Sequence, residues 1–333
     1  MPEGHSVHRI ARQFDRNFTG RAVAVSSPQG RFADGAAMLD GRALTTALAV
    51  GKQMFLEFED DLWLRVHLGL YGAWDFAGEI LVDPTIASAN GRMGQTNQRG
   101  TDLGDESVLD DAGENSLASI GAPRRTRGRV RMSEQTKSVA DDDLPWPPPV
   151  VGQVRARLMT DATCADLRGP TACAVESPAQ IRAVMERLGP DPLVGDPAEN
   201  EERFVAAVRR RGVAIGQLLM DQQVVSGIGN VYRAEMLFRA RLNPHTPGKA
   251  VPEEIVRELW RDWVRLLRVG VEVGQMMTMD DLDPEAWRRA MSSRDDRHWV
   301  YHRAGLPCRV CGTEIVLEEM QARKLYWCPL CQK

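Results

Sequence analysis

The sequence predicts an α+β, multidomain chain: a helix and a sheet at the N-terminus, a helical stretch after it, and a small metal-holding ribbon at the end. Three observations predict it. Residues 52–72, "KQMFLEFEDDLWLRVHLGLYG", alternate apolar and polar with period two around Asp60-Asp61, the pattern of a hairpin. Beyond residue 198, apolar positions recur at three- and four-residue steps, the spacing of helices. The pairs Cys308-x2-Cys311 and Cys328-x2-Cys331, with 16 residues between them, have the spacing of a zinc ribbon. A length of 333 residues supports two or three domains.

The first helix begins almost at once in "MPEGHSVHRIARQF", where Val7, Ile10, Ala11, Phe14 and then Phe18 mark one buried stripe. Pro2 and Glu3 stand at its positive end, and removal of Met1 leaves a secondary amine beside a carboxylate. "RAVAVSSPQGRFA" and "LTTALAV" read as short strands. In the hairpin, Met54, Leu56 and Phe58 share a face, as do Leu62, Leu64, Val66 and Leu68, which predicts a sheet buried on one side. A turn centred between residues 60 and 61 sets Lys52 across from position 69, at the same end as "GLYG". Residues from about 84 to 146 are polar, aperiodic and arginine-rich in "RRTRGRVR", and read as a disordered insertion. "GQVRARLMT" resumes the sheet, "CADLRGPTAC" continues it, and "LGPDPLVGDP" has a linker's composition. Four helices follow, at about 199–211, in "AIGQLLMDQQ", in "NVYRAEMLFRA" and in "PEEIVRELWRDWVRLLRVG".

Composition narrows the function classes. No apolar run approaches the roughly 20 residues that cross a bilayer, and the basic-then-apolar order of a signal peptide is missing, so a cytoplasmic protein is expected. The net charge of −4 gives no overall pull toward nucleic acid, yet Arg203 to Arg241 holds seven arginines against two acids. Four cysteines in the last 26 residues fill a tetrahedral zinc ion completely, which makes the metal structural. Arg323, near the turn between the cysteine pairs, is either a phosphate contact or a solvated surface arginine. "SGIGNVYRAE" sets Asn230 near the start of a helix, where free N–H groups favour a phosphate, and with the arginines around it suggests a helix-turn-helix-like DNA clamp. Leu70 and Tyr71 are either rim residues or a wedge for a base stack, and Cys164 and Cys173 read as reduced thiols.

Taken together, "MPEGH", "GK" at 51, "HLGLYG", "RLGPDPL", "LLMDQQVVSGIGNVYRAEMLF" and "VYHRAGLPCRVCG" through "ARKLYWCPLCQK" resemble the formamidopyrimidine-DNA glycosylase/endonuclease VIII family, most closely its actinobacterial endonuclease VIII branch. The resemblance implies a β-sandwich domain at 1–180, a linker at 181–198, a helix-two-turn-helix domain at 199–299 and a zinc-ribbon finger at 300–333. It implies a monomeric, nucleoid-associated DNA glycosylase and AP lyase that acts on oxidised pyrimidines in damaged double-stranded DNA and holds one structural Zn2+. Pro2 would be the nucleophile and Glu3 the general acid/base. Lys52 would donate a proton and touch phosphate in β-elimination, and Arg323 would bind phosphate in δ-elimination. Gly69, Arg187 and Asn230 would contact DNA, and Leu70 and Tyr71 would fill the space left by a flipped base.

Overall fold

The computed structural model describes residues 2–81, 119–121 and 146–333. Helix α1 (Gly4–Phe18) buries Val7, Ile10, Ala11, Phe14 and Phe18, as their spacing predicts. Strand β1 (Ala24–Ser26), a short helix α2 (Ala33–Leu39) and strands β2 (Leu44–Val50), β3 (Gln53–Phe58), β4 (Leu62–His67) and β5 (Ala73–Gly78) follow. Strands β6 (Ser119–Gly121), β7 (Val154–Met159), β8 (Thr163–Arg168) and β9 (Ala172–Glu176) complete two antiparallel sheets, in the orders β1-β7-β8-β5-β6 and β2-β3-β4-β9. Between them lies one core, in which α1 contributes Phe14 and Phe18 against Leu56, Leu64, Trp74 and Leu167. Each Phe or Leu so buried stabilises by about 1.5–3 kcal/mol relative to exposure.

Four sequence expectations for this half change. Pairing of Gln53 with His67 and of Phe58 with Leu62 centres the turn on Asp60, so the register carries Lys52 opposite Leu68 rather than position 69. The loop has an odd number of residues, with Asp60 and Asp61 both left-handed at φ 62 and 57. The hairpin is also covered on its second face, where Phe55 packs with Val50 and Ile181. Ile181 belongs to α3 (Pro178–Arg187), started by a Ser177–Gln180 capping box, so the expected linker at 181–198 begins inside a helix. Finally, the expected disordered insertion at 84–146 contributes β6, whose Ile120 is fully buried and pairs with Trp74. Two large apolar residues, Leu117 and Ile120, in a polar and small-residue stretch leave no periodic signal. The rest of that expectation, including "RRTRGRVR", lies outside the described residues.

The second half is helical: α4 (Pro197–Arg209), α5 (Ile215–Leu218), α6 (Asn230–Arg239), α7 (Glu253–Val273) and α8 (Pro284–Ser292). Its core gathers Phe204, Leu219, Tyr232, Leu237, Trp260, Trp263 and Leu267. Helix α5 takes only four residues of "AIGQLLMDQQ", because the chain turns at Asp221, whose side chain accepts from the Gln223 N–H. The α7 stripe includes Val256 and Trp260 beside the expected Leu259, Trp263, Leu266 and Leu267, which leaves Ile255 half-buried. Strands β10 (Val316–Met320) and β11 (Arg323–Trp327) form the terminal hairpin. The halves are joined through α1, whose buried Arg9 donates to the Val271 carbonyl at the end of α7 (2.7 Å).

Candidate active site

Three glycines bring three segments into backbone contact. The Gly4 N–H at the start of α1 donates to the Gly227 carbonyl in the turn before α6 (2.9 Å). A Cβ on Gly4 would stand 2.9 Å from the Gly227 Cα, and one on Gly51, in the β2–β3 turn, 2.7 Å from the Ser226 Cβ. Side chains are therefore excluded at this junction. Pro2 and Glu3 arrive from the first segment, Lys52 from the second and Asn230 from the third.

Glu3 has no exposed surface. Its Oε2 accepts from the Gly229 N–H (2.8 Å) and its Oε1 from the Val231 N–H (2.9 Å), both at the N-terminus of α6. The sequence predicts a free anion site at that helix start, and the structure fills it with this carboxylate instead. Burial raises the Glu3 pKa above its ordinary 4.5, against the opposing pull of Lys52 and of the two amides. Lys52 is half-buried, and burial lowers its pKa while Glu3 raises it and Arg323 lowers it. An acid held toward protonation thus faces an amine held toward neutrality. The turn bearing Lys52 is fixed by the buried Asp191, which accepts from the Gly51 N–H (2.6 Å) and bonds His8 Nε2 (2.8 Å).

On the other side of α6, Asn230 is 6% exposed, and its Nδ2 donates to the Lys324 carbonyl of β11 (2.7 Å). Arg233 donates to the same carbonyl (3.0 Å) and to Asn230 Oδ1. Arg323, one residue before Lys324, is exposed and follows a tight turn in which Gln321 and Ala322 are left-handed. Its positive field reaches both Lys52 and Arg233. One turn further along α6, the buried Glu235 carboxylate accepts from Thr278 Oγ1 (2.6 Å) and from the N–H groups of Trp299, Val300 and Tyr301 (2.7, 2.9 and 2.8 Å). This anchors the segment leading into the ribbon.

The structure therefore gathers Glu3, Lys52, Asn230 and the Arg323 strand, with Pro2 adjoining Glu3. At the C-terminal end of β4, the end at which Lys52 also lies, Gly69 is left-handed (φ +64), and a Cβ there would meet Thr171 Oγ1 at 1.8 Å. It projects two apolar side chains outward: Leu70 is 41% exposed and Tyr71 65%. Arg187 is not brought to the cluster by any contact among the described residues; its Nε donates to the Ala183 carbonyl of its own helix (3.0 Å). Sequence reasoning passed over Asp191, Arg233 and Glu235. Their signals, an acid inside a linker motif and two charges within an apolar helix, are visible only once their partners are known.

In the ribbon, the Sγ atoms of Cys308, Cys311, Cys328 and Cys331 all lie within 4.8 Å of one another, with Cys308–Cys331 at 3.9 Å and Cys311–Cys328 at 3.4 Å. A tetrahedron of about 2.3 Å Zn–S bonds has edges of about 3.8 Å, so the four thiols fit zinc. With every ligand position taken by sulfur, the metal is structural.

Three family models match the chain: the formamidopyrimidine-DNA glycosylase N-terminal domain at residues 1–106, the formamidopyrimidine-DNA glycosylase H2TH domain at 188–281, and the zinc finger found in FPG and IleRS at 305–333. Endonuclease 8 1 of Mycobacterium bovis is 36% identical over the whole of both chains. The formamidopyrimidine-DNA glycosylase of Thermus thermophilus is also 36% identical, over 44% of this chain and 54% of its own. Among solved structures, the MutM (Fpg) protein of Thermus thermophilus shares the fold with a TM-score of 0.62 at 22% identity, covering 99% of this chain and 98% of that one. The Lactococcus lactis formamidopyrimidine-DNA glycosylase bound to AP-site DNA does so at 0.65 and 16%, covering 99% of each. With a 36% identical relative matched from end to end and three domain models in register with the sandwich, the helical half and the four-cysteine ribbon, the chain belongs to the formamidopyrimidine-DNA glycosylase/endonuclease VIII family.

Proposed function

We propose that the protein is a bifunctional DNA glycosylase and AP lyase of base excision repair that removes oxidised pyrimidines from double-stranded DNA. The observation that carries this reading is Glu3: a fully buried carboxylate on the N-terminus of α6, next to Pro2 and in the field of Lys52. With Met1 removed, the Pro2 nitrogen attacks C1′, and the damaged base leaves with the bonding pair and takes up the proton that the Pro2 N–H gives up. Glu3 delivers a proton to the opening sugar, a task suited to a carboxyl whose pKa burial has raised. The resulting iminium has no N–H proton to lose and acts as an electron sink. Loss of a C2′ proton then expels the 3′ phosphate, with Lys52 as proton donor, and δ-elimination expels the 5′ phosphate beside Arg323.

Leu70 and Tyr71, held outward by the Gly69 turn, fill the gap left by the flipped base, a step that costs a few kcal/mol of unstacking. Asn230 and Arg187 serve as DNA contacts. Cys308, Cys311, Cys328 and Cys331 hold the zinc, which fixes the ribbon that carries Arg323. We place the enzyme in the cytoplasm at the nucleoid, as a monomer. Its end-to-end likeness to an endonuclease 8 favours oxidised pyrimidines over 8-oxoguanine.

Borohydride trapping on duplexes with thymine glycol, dihydrouracil, 8-oxoguanine or an AP site tests the reading. A covalent adduct at Pro2, strongest with the pyrimidine lesions, is expected. Preference for 8-oxoguanine opposite cytosine moves the protein to the other branch of the family. Tight DNA binding with no adduct, after mass spectrometry has shown Met1 removed, leaves only a zinc-containing DNA-binding protein.

A further inference from the structure

The first turn of α6 faces two ways. Its backbone N–H groups hold Glu3, while Asn230 and Arg233, three residues apart on one side of the helix, hold β11. Arg233 is 1% exposed, and every hydrogen bond described for it goes to a neutral oxygen: the Lys324 carbonyl, Asn230 Oδ1 and, at 3.5 Å, the Gly216 carbonyl. Its Nε has no partner among the described residues. Burial lowers the pKa of this guanidinium and the field of Glu3 raises it, so a charge offset by Glu3 gives its hydrogen bonds to neutral oxygens. What it holds is the carbonyl one residue beyond Arg323.

We propose that Arg233 is a positioning residue for Arg323, and that it governs δ-elimination separately from imine formation at Pro2. The proposal rests on the Pro2 and Arg323 roles given above. In δ-elimination the C4′ proton is lost, a C4′–C5′ double bond forms and the C5′–O bond breaks, releasing the 5′ phosphate that Arg323 contacts. Arg323 itself is exposed beside a tight turn, and its approach to that phosphate depends on where β11 begins. Two α6 donors fix that point. Without Arg233 one remains, and Asn230 loses the donor that orients its amide. Glu3 is held by backbone N–H groups and keeps its place, so trapping at an AP site, where no base has to leave, proceeds.

The test uses the full-length, zinc-loaded protein with Met1 removed and an AP-site duplex, resolving β-product from β,δ-product ends. Arg233→Met should trap at Pro2 at close to the wild-type rate while its δ-product fraction falls about tenfold, less than the roughly 10²-fold that a full 1 Å misplacement can cost, because Asn230 still holds β11. Arg233→Lys, which keeps the charge and a donor, should restore part of the split, and it carries the comparison if the methionine variant does not fold. A wild-type split in whichever variant folds, or an equal loss of trapping and of both eliminations, overturns the proposal. So does a wild-type split in Arg323→Ala, which would remove the Arg323 role it relies on. Failure of the wild-type chain to trap overturns the Pro2 reading itself, and is scored first.

Discussion

Helices α4 and α6 are both closed at the N-terminus by a carboxylate, from very different distances. For α4 it is Asp196, the residue before Pro197, which accepts from the Ala198 and Glu199 N–H groups at 3.0 and 2.8 Å. For α6 it is Glu3, 226 residues away from the Gly229 amide it binds. The residue in the capping position of α6, Gly229, has no side chain to offer, and a Cβ there would lie 2.4 Å from the Glu3 carboxyl carbon. A local cap in water completes one helix. A remote cap, buried, joins two domains and leaves a carboxyl group at a defined point with its proton affinity raised. Structural capping and chemical capping thus differ in where the acid comes from.

Replacing the remote cap should have the largest effect. Glu3→Gln keeps the size of the side chain but cannot carry the proton, and base excision should fall by about 10²–10⁴-fold in single-turnover assays while DNA affinity is held. A near wild-type rate would reduce Glu3 to a cap like Asp196. The same variant tests the buried acid by stability. Because the folded pKa lies above 4.5, the folded state keeps its proton where the unfolded chain has released it. Wild-type stability should therefore decline as pH rises from 4.5 through the folded value, and Glu3→Gln should lack that component. Urea melts at stepped pH would show it, and identical slopes in the two proteins would deny that burial controls this group.

The next largest effect concerns the ribbon, which α6 grips from its other side. Cys308→Ser should remove a metal site contributing about 10–16 kcal/mol to ribbon folding and weaken DNA binding by about tenfold or more. Pro2 should still be trapped at saturating AP-site DNA, since no zinc ligand touches it. Loss of trapping with normal DNA affinity would mean that the metal serves the chemistry. A smaller effect is expected at the junction itself: Gly229→Ala forces Glu3 aside and should slow excision by about tenfold.

Local pattern carried a good part of this comparison. The α1 stripe, the start of α6 at Asn230 and the four cysteines all announce themselves within a few residues, because periodicity, turn glycines and ligand spacing are short-range properties. What occupies the α6 terminus is not such a property. A free helix start reads as an anion site, and nothing nearby in sequence says that the anion is Glu3. Lys52 was displaced by one position because an odd loop and an even one give the same alternation on either side. Asp191 looked like linker composition, since its partners, His8 and the Gly51 amide, lie 183 and 140 residues away. Ile120 had only Leu117, Ala118 and Ala122 near it, too short an apolar run to give it a period.

Asp196 is the reference that gives the other substitutions their meaning. Asp196→Ala leaves two α4 amides to water and should lower stability by about 1 kcal/mol in chemical denaturation. Its cap touches neither Glu3 nor Lys52, and α4 meets the site through the common core and through Asn200, whose Nδ2 donates to the Asp191 carbonyl (3.1 Å), so excision and trapping rates should not change while that helix stays folded. The two readouts must separate here if they are to be read separately at Glu3. Were Asp196→Ala to slow excision in proportion to its lost stability, activity in this protein would track helix order in general. The remote cap would then owe its effect to holding α6, and the proton on Glu3 would no longer be needed to account for it.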